Sequence, residues 1–268
     1  MDGPRRSHYL NLLGIDTYRR RAAGDAAAHA PQAVAATGVP RAAAARQGEP
    51  APASAAAGAP VVAAVAAAPG AARVQAPADW SGLRAAVQDC RACKLCATRT
   101  QTVFGVGLQS APLMVIGEGP GADEDAQGEP FVGRAGKLLD EMLASIGRAR
   151  TETRPEHAVF IANVVKCRPP GNRDPESDEV EACRPYLDRQ IELVEPRLIV
   201  ALGRIAAQRL LSTDTPLSKL RGPLYHYGAA QTPVLVTYHP AYLLRSPREK
   251  AKSWEDLKRV HRLLRASA

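Results

Sequence analysis

Four short apolar segments, separated by stretches with helical spacing, constrain the fold of this chain more than any other feature. The apolar segments are residues 113–117, 159–165, 198–202 and 234–238. The helical stretches that follow them are residues 135–146, 176–194, 204–211 and 250–265. Near-continuous apolar strands that alternate with helices indicate a parallel sheet covered by helices on both faces. The sequence therefore predicts an α/β domain with a central four-stranded parallel sheet.

The N-terminal part of the chain has a different composition. Residues 22–78 contain 28 Ala and 7 Pro, with no aromatic residue and no Cys. Alanine fills little core volume and proline interrupts helices, so this segment is predicted to be a disordered linker. We expect three parts: a short, partly apolar peptide at residues 1–21, the Ala/Pro linker at 22–78, and one folded domain at 80–268.

Charge and targeting signals narrow the class of protein. The net charge is +8, of which residues 81–268 carry +5, with 27 basic against 22 acidic side chains. This balance permits a polyanionic partner, although a basic protein without one fits equally well. We find neither a secretory signal nor a run of about 18 strongly apolar residues. The sequence predicts a cytoplasmic protein of a bacterial cytosol, with no membrane association.

Polar residues of chemical interest follow the predicted strands. Glu118 and Gly119 follow the first strand, Asn163 lies late in the second, and His239 follows the fourth. In open parallel sheets, ligands bind outside the carboxyl ends of the strands. Each residue alone is also compatible with a structural role, but their common edge favours a pocket.

The residue types at this edge suit a planar, polar ligand. The amide of Asn163 offers a donor and an acceptor side by side, which matches the edge of a pyrimidine. A histidine such as His239 can stabilise negative charge that develops on a leaving oxygen. Phe131 is compatible either with stacking on a flat base or with ordinary core packing.

Five cysteines in a chain predicted to be cytosolic indicate metal binding or chemistry rather than disulfides. Cys93 and Cys96 form a Cys-x2-Cys pair, and Cys167 and Cys183 follow later in the chain. Four thiolates suit either a tetrahedral zinc ion or a [4Fe–4S] cluster, and spacing does not separate the two. Cys90, three residues before Cys93, leaves the choice of pair ambiguous.

Long motifs in the same order resemble the family 4 uracil-DNA glycosylases. They occupy residues 93–107 (CKLCATRTQTVFGVG), 117–136 (GEGPGADEDAQGEPFVGRAG), 163–173 (NVVKCRPPGNR) and 238–245 (YHPAYLLR). The resemblance covers roughly residues 85–265. It implies a three-layer α/β/α fold, a [4Fe–4S] cluster, and base-excision repair of uracil-containing DNA that leaves an abasic site.

The resemblance also implies roles for individual residues. The cluster ligands would be Cys93, Cys96, Cys167 and Cys183, with Cys90 outside the set.

In the uracil pocket, Glu118 and Gly119 would contact the base through their backbone, Phe131 would stack, and Asn163 would read the polar edge. His239 would face O2, and Glu124 would crowd the C5 side and discourage thymine. The predicted catalytic residues are His239, Asn163 and Glu118, and the group that positions the attacking water stays open.

Arginines near these motifs are candidates for DNA phosphate contacts. They are Arg134, Arg168, Arg173 and Arg245. Phosphate contacts supply affinity without sequence preference.

The alternative function is a non-enzymatic nucleic-acid-binding protein with an iron–sulfur cluster or zinc. A nucleotide-binding or hydrolytic α/β enzyme is disfavoured because the chain lacks a phosphate-loop Lys-Ser/Thr motif and a Gly-x-Ser-x-Gly elbow.

The N-terminal peptide keeps apolar residues together although the predicted linker separates it from the domain. Residues 5–20 loosely resemble the N-terminal peptide of the bacterial clamp-loader psi subunit, which docks on its chi partner. We expect a monomeric enzyme whose residues 5–20 dock on replication or clamp-loader machinery. A helix that folds back onto the catalytic domain is the alternative.

Overall fold

The computed structural model of the protein describes residues 76–266. The predicted peptide at residues 1–21 and nearly all of the predicted linker at 22–78 lie outside the described residues. Of the last three linker residues, Ala76 packs against the hydrophobic core, and the Cβ of Pro77 lies 3.0 Å from the position that a Cβ on Gly82 would take.

The described residues contain one six-stranded sheet. Its strands are β1 (Val106–Gly107), β2 (Leu113–Gly117), β3 (Val159–Asn163), β4 (Leu198–Leu202), β5 (Leu224–Tyr227) and β6 (Thr232–Thr237). Their order across the sheet is β1-β3-β2-β4-β6-β5, with β3, β2, β4 and β6 parallel and the two edge strands antiparallel to their neighbours. The predicted four-stranded parallel centre is confirmed, and two short antiparallel edges extend it.

Eight α-helices in the described part of the chain cover the sheet. They are α1 (Trp80–Gln88), α2 (Ala122–Gln127), α3 (Arg134–Ser145), α4 (Ser177–Val194), α5 (Gly203–Leu211), α6 (Leu217–Leu220), α7 (Pro240–Arg245) and α8 (Lys250–Ala266). The long helices begin and end within a residue or so of their predicted bounds. Within residues 76–266, no helix is both long enough and apolar enough to span a membrane.

The side chains of each central strand alternate between two separate hydrophobic layers. On β2, Met114 and Ile116 pack in the layer that includes residues of α1, α4 and α5. Leu113 and Val115 pack in the opposite layer, with residues of α3, α7 and α8. Because both faces of the sheet are buried, the strands are apolar throughout instead of alternating with polar residues. The architecture is the predicted three-layer α/β/α fold.

The register of the sheet aligns the carboxyl ends of the central strands. Gly117 at the end of β2 lies opposite Asn163 at the end of β3, and Leu202 of β4 lies opposite Thr237 of β6. The residues that follow these four strands therefore emerge at one edge of the sheet.

Candidate active site

A buried side-chain amide lies at the centre of this edge. Asn163 is the last residue of β3 and is only 1% exposed. Its Oδ1 has no hydrogen-bond partner among the described residues. A Cβ on Gly117 would lie 2.5 Å from this oxygen and 2.5 Å from Cζ of Phe131. Glycine at position 117 therefore makes room for the amide and the phenyl ring, which both lie beside it.

An unpaired, buried amide oxygen is unusual. It costs about 1–3 kcal/mol in desolvation free energy that no internal hydrogen bond recovers. Such a group is suited to a ligand that donates a hydrogen bond to it.

Phe131 is held beside this amide in a rare backbone conformation. Its φ is 57°, in the left-handed region, and its side chain is 6% exposed. The centroid of its ring lies 5.6 Å from that of His239, with 32° between the ring planes. The structure thus brings Asn163, Phe131 and His239 together at one edge of the sheet.

His239 is a neutral imidazole with a defined tautomer. Its Nδ1 accepts a hydrogen bond from the Ala241 backbone N–H at 3.1 Å, so the ring proton lies on Nε2. Burial lowers the pKa of His239 to about 4, and the nearby Arg245 charge acts in the same direction. At neutral pH, Nε2 is therefore a hydrogen-bond donor without a full positive charge.

Glu124 joins two loops of the site. Its Oε2 accepts the Gly121 backbone N–H at 3.0 Å, and its Oε1 accepts those of Val132 and Gly133 at 3.0 and 3.2 Å. The carboxylate also lies near enough to His239 to favour the charged form of that ring. Its contact with the C5 side of a base stays a prediction, and these hydrogen bonds give it a second role that the motif did not indicate.

Glu118 and Gly119 leave β2 on the same edge. A Cβ on Gly119 would lie 2.8 Å from Cγ2 of Val165, so glycine permits the close packing of the two segments. Burial raises the pKa of Glu118 to about 7, with a further increase from the charge and hydrogen bond of Asp174. Asp174 in turn accepts a hydrogen bond from Nη2 of Arg204 at 2.6 Å. Glu118 therefore exchanges its proton near neutral pH.

The four candidate phosphate-binding arginines differ in their surroundings. Arg134 and Arg245 are exposed, and Arg168 donates to Oδ1 of Asn172 at 2.7 Å. Arg173 donates through Nη1 and Nη2 to the buried carboxylate of Glu179, at 2.9 and 2.5 Å. The charge of Arg173 is thus already compensated by a carboxylate in the first turn of α4.

All five cysteines line one small cavity. Arg99 donates through Nη1 to Sγ of Cys167 at 3.0 Å, and the Lys166 backbone N–H donates to Sγ of Cys183 at 3.2 Å. Burial raises the pKa of the Cys183 thiol to about 12. No group of three or more His, Cys, Asp or Glu residues within 76–266 is arranged to hold a metal ion.

Sequence reasoning missed a buried lysine between the amide and the cysteines. Lys166 is 1% exposed, and its Nζ donates to the backbone oxygen of Asn163 at 2.8 Å and to Oε1 of Gln190 at 2.6 Å. Gln190 continues the network by donating to the backbone oxygen of Phe104 at 2.8 Å. The position of Lys166 between Asn163 and Cys167 was the available signal, but lysine is ordinarily a surface residue.

Fold and site together define an α/β/α protein with a buried amide, a phenyl ring and an imidazole at the carboxyl edge of its sheet, an arrangement suited to a flat, polar ligand. The sequence model of the uracil DNA glycosylase superfamily matches residues 104–258. The chain therefore belongs to the uracil DNA glycosylase superfamily.

Several curated relatives that this chain resembles carry the name type-4 uracil-DNA glycosylase. The protein from Archaeoglobus fulgidus is 45% identical over 183 residues, which are 66% of this chain and 89% of that protein. The protein from Sulfurisphaera tokodaii is 45% identical over 184 residues, or 66% of this chain and 81% of that protein. The protein from Saccharolobus solfataricus is 43% identical over 185 residues, or 66% of this chain and 83% of that protein. Within the superfamily, the chain therefore belongs to the type-4 enzymes.

Proposed function

We propose that the protein is a uracil-DNA glycosylase that hydrolyses the bond between uracil and deoxyribose and leaves an abasic site in DNA. The observation that carries this proposal is the buried, unpaired Oδ1 of Asn163 beside the ring of Phe131. Membership of the type-4 family supports the same activity. The base must leave the stack to reach a site of this kind.

Asn163 and Phe131 select the flipped base. Oδ1 of Asn163 accepts the N3–H of uracil, and Nδ2 donates to O4. Cytosine lacks the N3–H and carries an amino group at the fourth position, so it leaves both partners of the amide mismatched. The ring of Phe131 stacks on the base, which adds an apolar contact to the polar edge. Glu124 is proposed to limit space for the C5 methyl group of thymine.

His239 stabilises the leaving group. As the bond between N1 of uracil and C1′ breaks, its electron pair stays on uracil and negative charge develops on O2. The Nε2–H of neutral His239 donates a hydrogen bond to O2, and the backbone beside Gly119 contributes to the same anion hole. These interactions are stronger with the anion than with neutral uracil, and they therefore lower the barrier.

Glu118 is our candidate for the group that handles water. A water oxygen forms the new bond to C1′, and the proton that it loses passes to the Glu118 carboxylate. A pKa of about 7 suits this task, because half of the carboxyl groups are ionised at neutral pH and still bind a proton well.

The cysteine cavity is proposed to hold a [4Fe–4S] cluster through Cys93, Cys96, Cys167 and Cys183. The chemistry of the donor set fits, because these four thiols and Cys90 line the same cavity, although within residues 76–266 they are not arranged as a metal-binding group. Bound iron would favour the thiolate form of Cys183 and so oppose the burial that raises the pKa of this thiol. The cluster would act as a structural cross-link between the segment around Cys93, the Cys167 loop and α4.

Arg134, Arg168 and Arg245 are proposed to contact DNA phosphates, and Arg173 is proposed to shape the loop between Cys167 and α4.

An oligonucleotide cleavage assay tests the proposed activity. The protein is incubated with a labelled strand that holds one uracil, alkali is added, and strand breaks are measured. We expect a break at the uracil position and none in a control strand with thymine there. A protein that binds the strand without breaking it would instead be the non-enzymatic nucleic-acid-binding alternative.

The variant Asn163→Asp tests the observation on which the proposal rests. A carboxylate cannot donate to O4 of uracil, so we expect uracil excision to fall by at least about 100-fold, as when a catalytic hydrogen-bond donor is lost. Thermal unfolding of the variant checks that it folds. Uracil excision equal to that of the wild type would remove Asn163 from the pocket.

A further inference from the structure

The backbone of Phe131 needs an external restraint. A left-handed φ is unusual for an aromatic residue and persists only where the surroundings hold it. The direction of the ring depends on this conformation, because the Cα–Cβ bond turns with the backbone. Whatever holds the peptide groups on either side of Phe131 therefore also sets where the ring lies.

Arg150 contacts both peptide groups that flank Phe131, one on each side. Its Nη1 donates to the backbone oxygen of Pro130 at 2.7 Å, and its Nη2 donates to that of Phe131 at 3.1 Å. The Arg150 side chain is only 10% exposed. A planar guanidinium can bond two successive carbonyl groups at once, which an ammonium group cannot do in the same geometry.

Two acidic residues fix the orientation of the guanidinium. Nε of Arg150 donates to Oδ1 of Asp140 at 2.8 Å, and Nη1 also approaches Oε1 of Glu129 at 3.3 Å. With both carboxylates beside it, the charge of Arg150 is compensated within the protein. Arg150 is therefore not comparable with the exposed arginines that are candidates for phosphate contacts.

The peptide group that follows Phe131 has a second restraint, through its N–H. Glu124 accepts the backbone N–H groups of Val132 and Gly133, as described above. A Cβ on Gly136 would lie 1.7 Å from the backbone oxygen of Phe131, so only glycine there allows this oxygen its position. This oxygen lies close to Gly136 in the first turn of α3 and accepts a hydrogen bond from Arg150.

We propose that Arg150 is a positioning residue of the active site: it holds Phe131 in the conformation that presents its ring to the flipped base. Arg150 itself contacts neither the base nor the sugar. This inference rests on the proposed function, because it assigns to Phe131 the stacking contact with uracil. Its consequence is that Arg150 sets the affinity for uracil through Phe131.

The test is a double-mutant cycle with Arg150→Ala, Phe131→Ala and the double variant. Kinetic constants on a uracil-containing strand and inhibition by free uracil are measured for each. We expect Arg150→Ala to raise KM and the inhibition constant about tenfold, the size of one aromatic stacking contact, while kcat changes less. In the Phe131→Ala background, Arg150→Ala should have almost no further effect, because the contact that it positions is already gone.

Conservative and matched control variants separate positioning from general destabilisation. Arg150→Lys keeps the charge but loses the fork, so it should resemble Arg150→Ala in KM. Arg154→Ala, on the same connection but 65% exposed and paired with Glu152, should behave like the wild type. If Arg150→Ala does not fold, Asp140→Asn weakens the orientation of the guanidinium and should raise KM in the same direction.

Amide hydrogen exchange gives a readout that does not depend on activity. Exchange at Val132 and Gly133 should become faster in the Arg150 variants, since the loop loses one of its two restraints. Additive effects of Arg150→Ala and Phe131→Ala, or unchanged exchange and KM in the Arg150 variants, would overturn the inference. Inactivity of both the wild type and Arg154→Ala on uracil would instead reject the proposed function, and the exchange data would still test the restraint.

Discussion

At the scale of single residues, the tautomer of His239 decides its chemistry. Because Nδ1 is occupied by the Ala241 N–H, Nε2 is the nitrogen that can donate to a leaving uracil. Replacing His239 by Ala should lower the single-turnover rate about 100- to 1000-fold, the usual effect of losing one anion-stabilising donor. DNA affinity, measured separately by fluorescence anisotropy, should change little. Equal losses of affinity and rate would indicate a structural role for His239.

Glu118 predicts a pH dependence of the rate. If its carboxylate accepts the proton from water, the single-turnover rate should rise with pH through a pKa of about 7. Glu118→Gln should remove this rise and leave a low, nearly flat profile. Asp174→Asn is the matched control: it removes the neighbouring charge that raises the pKa, so the rise should shift to lower pH. A profile that is unchanged in both variants would exclude Glu118 as the base.

Glu118 and His239 also make the free energy of unfolding depend on pH, with opposite signs. Glu118 has a pKa raised from 4.5 to about 7, so the folded state binds more protons in that interval and its contribution to stability is lost as pH rises. His239 has a pKa lowered from 6.5 to about 4, so its contribution is lost as pH falls through that interval. These two contributions to stability change in opposite directions over overlapping pH intervals, so they partly cancel. In thermal unfolding, Glu118→Gln should therefore expose the dependence that comes from His239.

Sequence reasoning identified the side chains at this edge but not how they are held. Asn163 and His239 follow from the rule that ligands bind beyond the carboxyl ends of parallel strands. Arg150 could not be found in this way, because it acts through backbone oxygens, which leave no pattern in the sequence. The left-handed conformation of Phe131 is equally invisible, since the motif reports only residue types.

At the scale of secondary-structure elements, apolar continuity was the most reliable signal. Strands β2, β3, β4 and β6 are buried along their length and are close to their predicted bounds. Strand β1 has two residues, and β5 (Leu224–Tyr227) is mostly half-exposed, so neither forms an apolar run. Edge strands gain their hydrogen bonds from a neighbour that is already present, which is a tertiary effect that local sequence does not encode.

The cysteine-bearing elements make a prediction about the cofactor. Cys183 lies in α4, whereas Cys93 precedes the 3-10 turn Lys94–Ala97 and Cys167 follows β3. We expect the wild-type protein to be brown, because iron–sulfur clusters absorb broadly in the visible range. Since a cluster would tie these elements together, Cys183→Ser should abolish this colour and lower the melting temperature. The measurements are visible absorption, iron and sulfide content, and thermal unfolding. Protein that is colourless and holds one zinc ion would contradict the cluster.

Cys90→Ser is the matched control for this prediction. Cys90 lines the same cavity and its thiol is the fifth candidate ligand, but the family pattern leaves it outside the ligand set. We expect the iron content and absorption of Cys90→Ser to equal those of the wild type. Loss of the cluster in this variant would show that the pair formed by Cys90 and Cys93 binds iron instead of Cys93 and Cys96.

At the scale of the whole molecule, the boundary of the catalytic unit can be tested by truncation. The described structure begins at Ala76, which packs on the core, and Asp79 caps α1 by accepting the Gly82 N–H at 2.9 Å. A chain that starts at residue 76 keeps both features. It should therefore excise uracil from short oligonucleotides at the full rate and unfold at nearly the same temperature as the full-length chain.

The full-length chain should differ from this truncated form in one respect, the binding of a partner. Residues 5–20 carry Leu10, Leu12, Leu13 and Ile15 close together in the sequence, ahead of the Ala/Pro segment at 22–78. If this peptide docks on clamp-loader machinery, the full-length chain should bind purified chi subunit and the truncated chain should not. Such tethering would raise the local concentration of the enzyme near replicating DNA.

Leu12→Ala combined with Leu13→Ala in the full-length chain is the matched variant and should also lose binding, with no change in oligonucleotide activity. A clear drop in melting temperature on truncation, without any chi binding by the full-length chain, would instead favour a peptide that packs on its own catalytic domain.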